Sequence, residues 1–240
     1  MRTNRDMLIV EGLRVNYGDF VAVDGADFRV PQGAIVSLVG TNGAGKSTLI
    51  DCISGITKPA QGRVYFKGEN ITGKPAHEIV AMGLTLVPQG SRCFVRMTVE
   101  ENLIIGSYTK KARASRMETL KYVYDLFPAL YEKRNDLSGA LSGGQRQMVA
   151  IGRALMSKPE LILFDEISLG LAPTVIKDIY VRIREINRSG GVTVVLIEQD
   201  VKRSLRASSR CDVMLKGRIV LSGSPGELTE EKIKAAYFGI

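Results

Sequence analysis

Three short runs hold residue types that can do chemistry together. The first is Gly40-Thr41-Asn42-Gly43-Ala44-Gly45-Lys46-Ser47-Thr48, which fits the pattern G-x-x-x-x-G-K-[ST] at every fixed position. Glycines at 40, 43 and 45 let the backbone curl so that successive N–H groups face phosphate oxygens. Lys46 supplies positive charge for β- and γ-phosphates, and the Ser47 hydroxyl is a hard-oxygen ligand suited to Mg²⁺. The second run is Leu141-Ser142-Gly143-Gly144-Gln145. Ser142 and Gln145 have capping-box spacing, and the glycines between them leave a bare, positively polarised helix start that suits an anion such as a terminal phosphate. By composition alone, a glycine-softened helix start accounts for that run equally well. The third run is Leu161-Ile162-Leu163-Phe164-Asp165-Glu166. Two carboxylates are costly inside a core. At a strand exit they make sense, with Asp165 organising Mg²⁺ and its waters and Glu166 polarising an attacking water.

These runs need elements to position them. Gly33 through Val39 reads as a buried strand into the first run, and Thr48 through Ile53 can open a helix whose N-terminus faces the phosphates. Four consecutive apolar residues before Asp165 indicate a strand covered on both faces, as in a parallel sheet. Val192 through Ile197 is a further buried strand, running into Glu198-Gln199-Asp200. Leu84 through Gln89 is an apolar strand ending in a proline and an amide, and the Gln89 side chain can reach a metal or a water from such a strand end.

Nearer the N-terminus, Met7–Val10, Leu13–Tyr17 and Ala26–Val30 look like antiparallel strands. Tyr17 can stack on a nucleobase from its place before the Gly18-Asp19 turn, although a single strand tyrosine is more often packing. Pro75 through Met82 reads as a helix holding the sole histidine, His77, beside Glu78, which is a solvated position with no catalytic role. Between about 91 and 155 the pattern turns helical. Thr98-Val99-Glu100-Glu101 is a capping box. Leu120, Val123, Tyr124 and Phe127 make one apolar stripe, and the basic run Lys110–Arg116 reads as a solvated face. Asp212–Leu215 and Arg218–Leu221 flank Lys216-Gly217 as a hairpin, and Thr229–Phe238 is a closing helix.

The bulk numbers bound the class. A chain of 240 residues, 45% of them hydrophobic, fills the core of one large domain or of one domain with an insert. No stretch approaches the ~18 consecutive apolar residues of a membrane span, and Met1–Asp6 is polar rather than secretory. Cys52, Cys93 and Cys211 show no CxxC spacing and read as reduced residues of a cytosolic protein. The net charge of +8 suits nucleic acid, an anionic membrane surface, or neither.

With the phosphate loop, Gln89, Leu141–Gln145 and Asp165-Glu166 in this order, the chain resembles the ATP-binding subunits of ABC transporters over essentially its whole length. Leu-Ser-Gly-Gly-Gln is the specific element, since phosphate loops occur in many NTPases. Arg96–Leu103, Ile151–Ser157, Ser168–Pro173 and Ala235–Gly239 are similar to the ATPases of branched-chain amino acid importers. The resemblance implies that Tyr17 stacks on adenine and that residues 40–48 hold the phosphates of ATP. It implies that Ser47, Gln89 and Asp165 serve Mg²⁺, and that Gln89 also senses the attacking water while coupling to the membrane subunit. Glu166 is then the general base, with Lys46 and Gln199 beside it. Ser142, Gly143, Gly144 and Gln145 meet the γ-phosphate held by a second ATPase subunit in a head-to-tail dimer.

Three positions depart from the broad pattern. Gln199 replaces the switch histidine, which is shared with the branched-chain importers and gives an amide that hydrogen-bonds but carries no charge. Ile167 stands in place of a proline. Ala172 stands in place of an aspartate that links the two sites.

The expected architecture is an α/β P-loop NTPase core with a parallel sheet, an antiparallel β-subdomain and a helical insert, as one domain over residues 1–240. The expected function is ATP hydrolysis driving import of branched-chain or related amino acids, on the inner face of the cell membrane. The expected partners are permease subunits, a second ATPase subunit and, indirectly, an external solute-binding protein. A nucleic-acid-tending ATPase is the rival; against it stands the lack of tandem ATPase domains, coiled coils and zinc modules, so no nucleic acid is expected. A non-hydrolysing regulatory subunit is disfavoured because Lys46, Asp165 and Glu166 are all present.

Overall fold

The central strands have no polar face to offer water, so they are covered on both sides. In β7 (Leu161–Asp165), Leu161 and Leu163 join one core cluster while Ile162 and Phe164 join another. In β8 (Thr193–Glu198), Val195 and Ile197 face the first cluster and Val194 and Leu196 the second. That is the two-faced burial of a parallel strand.

The computed structural model describes residues 6–238; Met1–Arg5 of the polar N-terminal stretch and Gly239 of the closing run lie outside the described residues. The elements before β7 are β1 (Asp6–Tyr17), β2 (Phe20–Pro31), β3 (Ile35–Val39), α1 (Lys46–Ile53), β4 (Gln61–Phe66), β5 (Glu69–Asn70), α2 (Ala76–Met82), β6 (Leu84–Val87), α3 (Val99–Ile104), α4 (Lys110–Ala114), α5 (Arg116–Leu126), α6 (Pro128–Glu132) and α7 (Gly143–Leu155). Between β7 and β8 lies α8 (Pro173–Gly190), and after β8 come α9 (Val201–Ala207), β9 (Arg210–Leu215), β10 (Arg218–Gly223) and α10 (Glu230–Phe238).

Two sheets result. An antiparallel sheet runs β2-β1-β4-β5, and a six-stranded sheet runs β10-β9-β3-β8-β7-β6. Pairing is parallel from β9 to β6 and antiparallel only at β9–β10. The antiparallel sheet packs with α1 on one face of the large sheet. Helices α3, α5, α6, α7 and α8 cover the other face.

Where the elements differ from expectation, the reasons are local. Met7–Val10 and Leu13–Tyr17 belong to one strand, β1, which absorbs a register shift between Val10 and Leu13. Gly12 sits there at φ 54°, and its N–H bonds Asp27 Oδ1 at 2.9 Å, so a bulge bends the strand rather than ending it. Helix α1 begins at Lys46, two residues before Thr48, which places Lys46 and Ser47 in its first turn. The helical insert is a chain of short helices. Thr98 does cap its start, with both bonds of the capping box formed. The stripe on α5 is buried at Leu120 and Val123, whereas Tyr124 turns its hydroxyl to Glu100 Oε2 at 2.8 Å. Lys110, Lys111, Arg113 and His77 are exposed, as solvated positions should be.

Candidate functional site

Strand order decides what meets at the site. In the order β3-β8-β7-β6, Val39 pairs Glu198, Asp165 pairs Ile197 and Val87 pairs Phe164. The four strands therefore release the phosphate loop, Gln199, Glu166 and Gln89 along one carboxyl edge, where open parallel sheets place ligands.

The phosphate loop is shaped by close approach as much as by turn geometry. Gly43 and Gly45 lie at φ 79° and 102°, the left-handed region. Gly40 does not; it is small because a Cβ there would stand 2.6 Å from the Met214 carbonyl on β9. The hairpin braces the loop from below, with the Gly217 N–H bonded to the Ala44 carbonyl at 2.9 Å. Lys46 is 4% exposed. Its Nζ donates to the carbonyls of Gly40 at 2.9 Å and Thr41 at 3.1 Å, and lies 3.4 Å from Glu166 Oε1.

Glu166 is the hub. Besides the Lys46 contact, its Oε2 accepts from Gln199 Nε2 at 2.8 Å and from Gln89 Nε2 at 3.3 Å. Its backbone is left-handed, φ 45°, with its N–H bonded to the Ile197 carbonyl at 3.0 Å; such a conformation in a non-glycine residue concentrates at functional sites. Three residues far apart in the chain thus converge on one carboxylate. Beside it, Ser47 Oγ donates to Asp165 Oδ1 at 3.4 Å. Burial first, and the Glu166 charge second, push the Asp165 carboxyl up to about 6, while the Ser47 hydroxyl and Lys46 pull the other way. A proton or a cation at Asp165 relieves that unfavourable charge. Cys52 and Cys211 are no part of the chemistry, since burial pushes both thiols up to about 12.

Tyr17 lies at the exposed tip of the β1–β2 hairpin, 51% exposed, and pairs Phe20, which is 66% exposed. Ala22, two residues after Phe20, packs its carbonyl against Gly45, so the strand that leaves this tip runs against the phosphate loop. Phe20 escapes notice in the sequence because it follows a turn rather than a motif.

The Ser142 run is capped by its own residues. Ser142 Oγ accepts from the Gln145 N–H at 3.3 Å, and Gln145 Oε1 accepts from the Ser142 N–H at 3.1 Å. Among the described residues, no hydrogen bond or ion pair joins residues 142–145 to residues 40–48. The glycines here are not equivalent. A Cβ on Gly144 would stand 2.6 Å from Val175 Cγ1 on α8, whereas one on Gly143 meets only an ordinary 3.5 Å contact with Leu171. Gly144→Ala is therefore expected to lower the melting temperature by roughly 2–4 °C, as overpacking outweighs the gain in helix propensity. Gly143→Ala is expected to leave it unchanged or slightly raised; equal melting curves for both variants contradict the packing.

A bridge links the two regions. Past Gln89, Ser91 Oγ donates to Gln147 Oε1 on α7 at 2.7 Å, and Arg153 Nη2 donates to the Arg92 carbonyl at 2.9 Å. Ser91 and Arg92 are left-handed, at φ 62° and 38°. Asn102, fully buried, pins the following turn through Phe94 and Thr98.

A sequence profile of ABC transporters matches residues 23–168. The chain belongs to the ABC transporter family. Over 234 residues this ABC chain is 42% identical to the high-affinity branched-chain amino acid transport ATP-binding protein BraG of Pseudomonas aeruginosa, covering 97% of the chain and 100% of the relative. The ADP conformation of MJ1267, an ATP-binding cassette of an ABC transporter, superposes with a TM-score of 0.83 at 32% identity, covering 96% of the chain and 94% of that one. A dimeric post-hydrolysis structure of the cassette MJ0796 bound to ADP and phosphate superposes at 0.75 and 26% identity, over 91% and 99%. The ABC ATPase fold expected from the motifs is thus the one observed, and the chain is a nucleotide-binding ATPase subunit.

One residue at the site has no role in the sequence reading. Glu198, 2% exposed, accepts from Ser168 Oγ at 2.8 Å and from Tyr180 OH at 2.7 Å. The signal was present: an apolar strand that runs straight into a carboxylate, as β7 runs into Asp165.

Proposed function

We propose that this chain hydrolyses ATP to power import of branched-chain or related amino acids, working as a pair of ATPase subunits beneath membrane permeases. The observation that carries the reading is the convergence of Lys46, Gln89 and Gln199 on Glu166 beside a phosphate loop. In that reading the loop N–H groups and Lys46 hold the β- and γ-phosphates, Tyr17 stacks on the base, and Glu166 takes a proton from the attacking water. Gln199 and Gln89 orient the Glu166 carboxylate, and both amides lie within reach of a γ-phosphate and its attacking water.

Mg²⁺ fits the donors at this site. Ser47 Oγ and Asp165 Oδ1 lie side by side, and among the described residues no group of three or more His, Cys, Asp or Glu side chains could hold a metal. Two protein oxygens suit a cation that keeps its waters and takes phosphate oxygens, and Mg²⁺ would supply charge neutralisation there.

The separation of Ser142 from its own phosphate loop supports a partner chain that brings the two together. A membrane partner is supported by the groove of about 260 Å³ lined by Leu86, Pro88, Phe94, Ile105, Tyr108 and Arg153. Phe94, Ile105 and Tyr108 are 49%, 43% and 42% exposed, an apolar patch continuous with the loop that starts at Gln89. Among the described residues no helix is long and apolar enough to cross a membrane. In this reading permeases supply the spans and an external binding protein delivers the solute. Uptake of labelled leucine by cells carrying the importer is expected to stop when this chain is deleted and to return with it. ATPase activity stimulated by DNA or ribosomes instead, with leucine uptake untouched, overturns the reading.

A further inference from the structure

The Glu198 carboxylate is buried where an unpaired charge is costly, yet each of its oxygens has one hydroxyl donor. Ser168 Oγ donates to Oε2 at 2.8 Å and Tyr180 OH to Oε1 at 2.7 Å. Ser168 sits two residues after Glu166 at the head of the turn that leads to Ala172, and Tyr180 is on α8, the helix which that turn enters. Gln199 follows Glu198 directly. It lies beyond the end of β8, is exposed, and has its one side-chain bond among the described residues to Glu166 at 2.8 Å.

The bonds close a ring. Glu166 leads through Ile167 to Ser168, Ser168 bonds Glu198, Glu198 precedes Gln199, and Gln199 returns to Glu166. A backbone bond from the Glu166 N–H to the Ile197 carbonyl at 3.0 Å crosses the ring. Anything that shifts the Ser168 turn must therefore drag Glu198 or break a charge-assisted bond.

We infer that Glu198 is a positioning residue for Gln199, which ties the amide's placement to the Ser168–Ala172 turn. The turn itself is exposed from Leu169 to Gly170 and at Ala172, so it is the part of this ring that a second chain can press upon. Ala172 has no polar side-chain atom to communicate through, whereas Ser168 reaches Glu198 through its hydroxyl. The inference rests on Gln199 acting at the γ-phosphate.

The test is steady-state ATP hydrolysis by the full-length chain, with Ser168→Ala and Ser168→Thr made alone and in a Gln199→Ala background. Ser168→Ala is expected to lower kcat about tenfold, the order expected when a hydrogen bond to a charged group is lost, with KM for ATP within about twofold of the parent. Ser168→Thr keeps the hydroxyl and restores the rate. In the Gln199→Ala background, Ser168→Ala adds no further loss, because the group it positions is gone. Equal losses with and without Gln199, or a parent kcat for Ser168→Ala, overturn the inference while leaving Gln199 in its role. A parent rate for Gln199→Ala alone overturns both.

Discussion

Glu166→Gln is expected to cut ATP turnover by roughly 10²–10⁴-fold, the range for losing a general base, and to trap ATP between two chains. The substitution keeps the side chain's shape and, with it, acceptance from Gln199 and Gln89 at one oxygen. It removes the charge that Lys46 meets at 3.4 Å. Lys46 retains its bonds to the Gly40 and Thr41 carbonyls, so the loop stays formed and ATP still binds. Without the Glu166 carboxylate, its charge no longer opposes the γ-phosphate and no general base activates the attacking water. Two chains should then close, each Ser142 helix start capping the partner's γ-phosphate. Size-exclusion chromatography should show a monomer-to-dimer shift with ATP and none with ADP. Ser142→Arg in the same background should abolish that shift by filling the anion site. If the variant stays monomeric with ATP, alone and with a related ATPase subunit, while ATP binding is intact, the composite site is wrong for this chain.

Lys46→Ala carries the second large effect. The lysine is almost fully buried and makes three polar contacts, two to carbonyls of its own loop and one to Glu166. Its loss removes a charge-assisted contact to the β- and γ-phosphates and is expected to weaken ATP binding roughly 10–100-fold by titration calorimetry. The structure adds a consequence. Glu166 is then a buried carboxylate facing only two amides, so the variant should also melt below the parent. Adding Glu166→Gln should recover part of that melting temperature without recovering ATP affinity, because it removes the stranded charge and leaves the phosphates without their cation. Unchanged nucleotide affinity in a folded Lys46→Ala protein removes the phosphate loop from the site.

Much of this was legible in the residues because its physics is local. A capping box is a four-residue statement, and both of them, at Thr98 and Ser142, form as written. Leu161–Phe164 has no polar position to expose, so burial on both faces followed from composition alone, and the Lys216-Gly217 turn could only join two neighbours. The family motifs named the candidate residues for the same reason, each being a run of adjacent residues. What the chain order does not contain is which strand ends lie side by side. Parallel pairing joins segments separated by whole helices, and its register comes from packing across the sheet rather than from any turn. Only the order β3-β8-β7-β6 brings Gln199, Glu166 and Gln89 to one edge beside Lys46. The same non-local packing made Gly40 necessary beneath Met214, let β1 run on through its bulge at Gly12, and gave Glu198 two hydroxyl partners from 30 and 18 residues away. A buried carboxylate demands partners, so the sequence could state the need, but only the packed sheet and α8 could say who met it.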